Sequence, residues 1–200
     1  MYKIGITGAI ASGKSTAAQA LRELGARVWD ADQVQREIVK PRMSGYRALK
    51  EAFGEAFFDM AGELDRKKLA NLIFGDSRAR EKLNNALHPI IIRDMDETFG
   101  RWEQEGVKIA FAEVPLLFEA GVEDRFDEIW CTSCGIDVQI QRLMQRNGLT
   151  RGEALARIDA QMDDRERRSR SNRVIDTCGS AAELKEFMKV LYGELLDELK

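Results

Sequence analysis

The chain has 200 residues, 44% of them hydrophobic and 32% charged, and carries a formal net charge of -3. That is enough apolar material for one sizeable core with a smaller lobe attached, and the slightly acidic balance argues against a general nucleic-acid binder. No apolar run approaches the roughly 18 residues that span a bilayer, and the opening MYKIGITG has neither a signal core nor a cleavage site, so a cytoplasmic protein with no membrane or nucleic-acid partner is expected.

In chain order, YKIGIT (residues 2–7) is a short β-branched run that reads as a buried strand. KSTAAQALREL (14–24) has apolar residues at helical spacing and a stop at Gly25. ARVWDAD predicts a second strand ending in acids, VKIAFAEV (107–114) a third, DEIWCT a fourth and RVIDT (173–177) a fifth. Between them lie helical segments. DVQIQRLMQRNG has Asp137 as its expected cap, while TRGEALARIDAQM and SAAELKEFMKVLYGELLDEL open with the capping-box pairs Thr150/Glu153 and Ser180/Glu183. Residues 44–106 break the alternation with helical patterns only: ELDRKKLANLIFG, with Asp65 as cap and Gly75 as stop, and a long helix broken at Pro89. Strands alternating with helices predict an α/β fold, a five-stranded parallel sheet covered on both faces. The expected organisation is a single domain over 1–200, with a helical insertion at about 44–106 and an Arg-rich lid at about 150–172.

Gly8-Ala9-Ile10-Ala11-Ser12-Gly13-Lys14-Ser15 fits G-x-x-x-x-G-K-[ST] at every fixed position, between a strand and a helix. Gly8 and Gly13 permit a close backbone approach to phosphate. The backbone N–H groups of Ala11, Ser12, Gly13, Lys14, Ser15 and Thr16 can then point inward, at the positive end of the following helix. Lys14 reaches the β and γ oxygens, and the Ser15 hydroxyl is offered to Mg²⁺. The pattern specifies a nucleoside triphosphate. No N-K-x-D guanine-reading stretch is present, and a short chain with a helical insert favours a small-molecule kinase using ATP.

Phosphoryl transfer needs positioning, charge neutralisation and a group to receive the acceptor's proton. WDAD places Asp30 and Asp32 at the end of the second predicted strand, where ligands gather in a parallel sheet. Asp32 is the candidate base; either acid can instead cap the helix DQVQREIVK. Glu113, closing the third strand, is the candidate water-mediated Mg²⁺ ligand, its alternative being a partly buried, hydrogen-bonded carboxylate. PLLFE after Pro115 is expected to line the cleft. From Arg142 to Arg173 the chain is rich in arginine, with Leu155, Ile158 and Met162 as one helix's apolar stripe and Arg157, Gln161, Arg165 and Arg168 as its polar one. This is either a solvated basic face or a lid whose planar guanidinium forks close on phosphate oxygens. Cys131 and Cys134 form a lone C-x-x-C, which reads as a strand end because only Cys178 and His88 are available to complete a zinc site.

Taken together, IGITGAIASGKST, VWDADQVQREIV, GELDRKKLANLIF, LHPIII, VPLLFE, QRLMQRNGLTRGEALARIDAQM and RVIDTCGS resemble, in order and over nearly the whole chain, the dephospho-coenzyme A kinase family. The resemblance implies a P-loop three-layer fold and transfer of the ATP γ-phosphate to the ribose 3′-hydroxyl of dephospho-CoA. It carries over Lys14 and Ser15 as phosphate and Mg²⁺ contacts, Asp32 as base, Arg142 as an ATP contact and His88 as a substrate-side residue. The chain departs from the family where Ala9 and Ala11 stand for glycine, Ser171-Asn172 for Ala-Asp, and Thr177 for Asn. Alanine is expected to fit the loop if those backbones have negative φ. Competing readings are another P-loop nucleoside, nucleotide or small-molecule kinase and, from another class, an ATP-dependent switch. A monomer or weak homo-oligomer is expected.

Overall fold

The computed structural model describes residues 1–199, apart from the side chain of Phe74. Along the chain run β1 (Tyr2–Gly8), α1 (Lys14–Glu23), β2 (Arg27–Asp30), α2 (Ala31–Ile38), α3 (Ser44–Phe53), α4 (Arg66–Gly75), α5 (Ser77–Gln104), β3 (Ile109–Glu113), β4 (Glu128–Ser133), α6 (Ile136–Asn147), α7 (Arg151–Asp159), α8 (Asp164–Ser169), β5 (Arg173–Asp176) and α9 (Ala181–Glu198). They form two compact units, one of Met1–Asp30 with Trp102–Lys200 and one of Ala31–Arg101. No helix among the described residues is long and apolar enough to cross a membrane.

The first unit is a five-stranded, all-parallel sheet in the order β2-β3-β1-β4-β5. Its central strands are buried along their length at β3 and β4, whereas β2 and β5 mix buried and open positions. This is the pattern of a sheet covered on both faces. On one face Ile4, Ile6, Phe111, Trp130 and Ile175 pack against Ala17 and Leu21 of α1 and Leu184, Met188, Leu191 and Leu195 of α9. Phe111 and Trp130 meet edge to face with ring centroids 5.4 Å apart. On the opposite face Gly5 is required, because a Cβ there would come within 2.6 Å of Leu117 Cδ1. Leu117 and Phe118 are buried, and only Leu116 of PLLFE has an exposed apolar side chain, so the segment covers the sheet more than it lines an opening. Ile140 and Leu143 of α6 and Ala154 of α7 gather Ile10, Ala11, Leu149 and Ile158 around them.

Several local expectations are met and others shift. The capping boxes at Thr150/Glu153 and Ser180/Glu183 both close. The cap of α6 is Gly135, not Asp137; Asp137 sits in the first turn and pairs instead with Arg151 at 2.8 Å. The expected single helix carrying Leu155, Ile158 and Met162 is two: α7 ends at Asp159, and Asp163 caps α8 by accepting from the N–H groups of Arg165 and Glu166. Gln161 and Met162 therefore lie in the connector, free of helical phase. Cys131 is inside β4 and buried, and burial pushes its thiol up to about 11.

The helical unit has its own core, in which Ile38, Val39, Leu49, Leu69, Leu83 and Leu87 are buried together. Asp65 caps α4 by accepting from the Lys68 N–H. The expected break at Pro89 does not occur, and α5 continues through it to Gln104. An interior proline costs a helix about 3 kcal/mol. Here Leu83, Leu87, Ile90 and Ile91, on both sides of Pro89, pack into one cluster, and that burial offsets the lost hydrogen bond.

Met188 is fully buried on α9, while the preceding Phe187 is 48% exposed. Met188→Ala should lower unfolding free energy by about 2–5 kcal/mol and Phe187→Ala by less than about 1 kcal/mol, measured by denaturant titration of the purified chain.

Candidate active site

β1 ends at Gly8, and the chain turns through residues 9–13 before α1 begins at Lys14. Gly8 has no room for a side chain: a Cβ would land on the Thr132 hydroxyl and carbonyl and on the Ser12 hydroxyl. The Ser12 N–H donates to Ala9 O at 3.1 Å, tightening the turn. Gly13, at φ 90°, is the N-cap of α1, which has no side-chain cap and no acid in its first turn. The positive end of that helix is thus left to an anion. Lys14 lies over the loop, its Nζ donating to Gly8 O at 2.8 Å and Ala9 O at 3.1 Å. The condition of negative φ for an easy fit is not met at Ala11, which stands at φ 59°. A left-handed alanine costs about 1–2 kcal/mol, and its carbonyl is held by Arg142 Nη1 at 3.2 Å.

Ser15 and Glu113 come together. The Ser15 hydroxyl donates to Glu113 Oε1 at 2.6 Å, and the other carboxyl oxygen, Oε2, is buried with no hydrogen-bond partner. Asp30 is the register partner of Glu113 across β2 and β3. Arg22 of α1 serves both, at 3.4 Å from Asp30 and 3.8 Å from Glu113. Burial pushes the Glu113 carboxyl above its ordinary range, opposed by the Ser15 hydrogen bond and reinforced by the Asp30 charge. An exposed hydroxyl beside a buried carboxylate whose Oε2 has no hydrogen-bond partner is an all-oxygen donor set that fits a hard divalent cation such as Mg²⁺.

Arg142 reaches inward to the backbone: besides Ala11 O, its Nη2 donates to Thr177 O at 2.6 Å. Gln161, in the α7–α8 connector, accepts from the Ile10 N–H at 2.6 Å. A cavity of about 550 Å³ lies beside the loop, with Ala9, Ser133, Gln139, Met162, Arg167 and Cys178 in its walls. Arg167 is 1% exposed, bonded to Met162 O and near Asp164 and Glu119. Asn172 bonds to β4 at both its backbone N–H and its side-chain oxygen, extending the edge pairing of β5.

The remaining two candidates belong to the helical unit. Asp32 is not on β2: the strand stops at Asp30, and Asp32 is exposed in the first turn of α2, where a carboxylate faces the positive helix end. His88 is half-buried on α5, and burial lowers its pKa, leaving the imidazole neutral at pH 7. Residues absent from the sequence-based candidates also hold the loop. Thr132 bonds the Ser12 hydroxyl at 2.7 Å, Thr177 bonds Ser12 O at 2.6 Å, and Arg22 steadies the acids. Thr132 is not distinguishable in sequence from an ordinary β-former at a strand end, and Thr177 stood out only as a departure from the family's Asn.

The family model described as dephospho-CoA kinase matches residues 2–183. A dephospho-CoA kinase of Geobacter sulfurreducens is 43% identical over 195 residues, covering 97% of this chain and 98% of its own length. Among solved structures, a protein from Thermus thermophilus has a TM-score of 0.81 at 36% identity, covering 97% of both chains. Dephospho-CoA kinase from Campylobacter jejuni has a TM-score of 0.71 at 25% identity, covering 96% of both. The similarity extends over sheet, loop, arginine helix and helical unit alike, and the chain belongs to the dephospho-CoA kinase family.

Proposed function

We propose that this protein transfers the γ-phosphoryl group of ATP to the ribose 3′-hydroxyl of dephospho-CoA, giving CoA and ADP, the last step of CoA biosynthesis in the cytoplasm. The observation that carries this reading is near-full-length membership of the family together with an intact phosphate loop whose Ser15 hydroxyl meets Glu113 at 2.6 Å. The loop binds the triphosphate through the backbone N–H groups of residues 11–16, with Lys14 leaving its resting carbonyls for the β and γ oxygens. Ser15 and Glu113 would hold Mg²⁺, Glu113 through water; the ion neutralises charge on the β- and γ-phosphate oxygens when bound.

Asp32 accepts the proton of the 3′-hydroxyl as its oxygen bonds to the γ-phosphorus and the bridge to the β-phosphate breaks. His88 and the helical unit serve the acceptor. Arg142 contributes to the ATP side, and residues 150–172 form a lid that keeps water from competing as acceptor.

Incubation with Mg·ATP and dephospho-CoA should yield CoA and ADP in equal amounts by chromatography; ADP without CoA would overturn the acceptor. Asp32→Asn should cut kcat by about 100-fold or more while ATP affinity stays within about twofold, read by single-turnover kinetics and calorimetry. Glu113→Gln should cut kcat by at least about tenfold at fixed Mg²⁺. Because burial raises the Glu113 carboxyl, its ionisation opposes folding, so the same variant should melt higher than the parent near pH 8. That advantage should shrink as pH falls into the carboxylate range, as read from Tm between pH 5 and 8. Trypsin cleavage within residues 150–172 should slow when an ATP analogue is bound; unchanged cleavage argues for a plain solvated basic face.

A further inference from the structure

The peptide that joins Ser12 to Gly13 sits at the centre of the phosphate loop, and both ends of Ser12 are tied to buried hydroxyls. Thr7, Ser12 and Thr132 are fully buried, and Thr177 is 2% exposed. A hydroxyl carries one proton, which fixes the direction of these bonds. Thr132 Oγ1 lies 3.2 Å from Thr7 O, which can only accept, so its proton goes there, and the Ser12 hydroxyl donates to Thr132 at 2.7 Å. Thr177 Oγ1 lies 2.6 Å from Ser12 O and 3.1 Å from Ser133 O, and the Thr177 N–H already donates to Ser133 O at 2.9 Å. Its hydroxyl proton is therefore committed to Ser12 O.

A trans peptide is planar, with C=O and N–H on opposite sides. Anchoring Ser12 O on Thr177 turns the Gly13 N–H the other way, and Gly13 follows the peptide at φ 90°, a conformation glycine adopts freely. Thr177 is itself held by Arg142, whose two Nη atoms bond Thr177 O and Ala11 O. Arg142, Thr177 and Ser12 thus form one closed linkage between α6, the end of β5 and the loop. The Gly13 site is also shaped to Thr177, since a Cβ there would come within 3.1 Å of the Thr177 Cβ.

We infer that Thr177 is a positioning residue for the nucleotide, setting the direction of the Gly13 N–H through the Ser12 carbonyl, with Thr132 fixing the Ser12 side chain from the opposite side. The inference rests on the triphosphate reading of the loop. It concerns nucleotide affinity and leaves the acceptor side untouched.

The test compares Thr177→Val, which keeps the shape and removes the hydroxyl, with Thr177→Ser, which keeps the hydroxyl. Calorimetry with the non-hydrolysable analogue β,γ-imido-ATP reads binding apart from turnover. Thr177→Val should weaken it about tenfold and raise KM for ATP in step, while KM for dephospho-CoA stays within about twofold; Thr177→Ser should restore the parent's affinity to within about twofold. Thr132→Val and Thr132→Ser give an independent pair should Thr177→Val fold poorly, with the same contrast expected. Valine variants that bind the analogue as tightly as the parent, or that lose Tm without loss of affinity in the folded protein, overturn the positioning role. A parent protein that does not bind the analogue overturns the triphosphate reading instead.

Discussion

A phosphate loop binds with backbone N–H groups, and a backbone N–H has no rotamer to adjust. Its direction is decided by the peptide plane it belongs to. In this protein the planes around Ser12 are set from outside the loop, by Thr177 on the Ser12 carbonyl, Arg142 on the Ala11 carbonyl and Gln161 on the Ile10 N–H. Three separate segments of chain therefore converge on three successive loop residues. The parallel sheet makes this possible, because β1, β4 and β5 are hydrogen-bonded neighbours whose carboxyl ends lie side by side. The apolar contacts of α1 and α9 beneath them keep those strand ends in register. A left-handed alanine persists at position 11 because its surroundings over-determine it.

The acids follow the same geometry on the other side of β1. Glu113 and Asp30 are register partners at the ends of adjacent strands, and α1 reaches them with Ser15 from its first turn and Arg22 from its last. Burial makes the Glu113 charge costly, and its Oε2, which has no hydrogen-bond partner, has the Arg22 guanidinium 3.8 Å away.

The helical unit is a separate solution to burial. Its core is built from leucines, isoleucines and phenylalanines of α2 to α5 and the segment joining α3 to α4. Its longest helix tolerates Pro89 because apolar residues on both sides of it are buried in one cluster. Local propensity called for a break there and packing overrode it.

Much of this was legible from residues alone. Short β-branched runs, Gly25 after α1, the capping boxes and the spacing of Gly8, Gly13, Lys14 and Ser15 report on neighbours within a few positions, and the structure reproduces them. The sheet's membership followed from alternation, and Glu113 from an acid closing an apolar strand. Whereas the helix that takes Asp32 was already one of the two readings of its sequence, the positive φ of Ala11, the split between α7 and α8 and the migration of the α6 cap to Gly135 were decided by tertiary contacts. So were the roles of Thr132 and Thr177, whose partners lie more than a hundred residues away. A one-dimensional pattern encodes which residue types a local conformation accepts. The direction of a single carbonyl depends on which distant donor arrives beside it, and only the folded chain determines that.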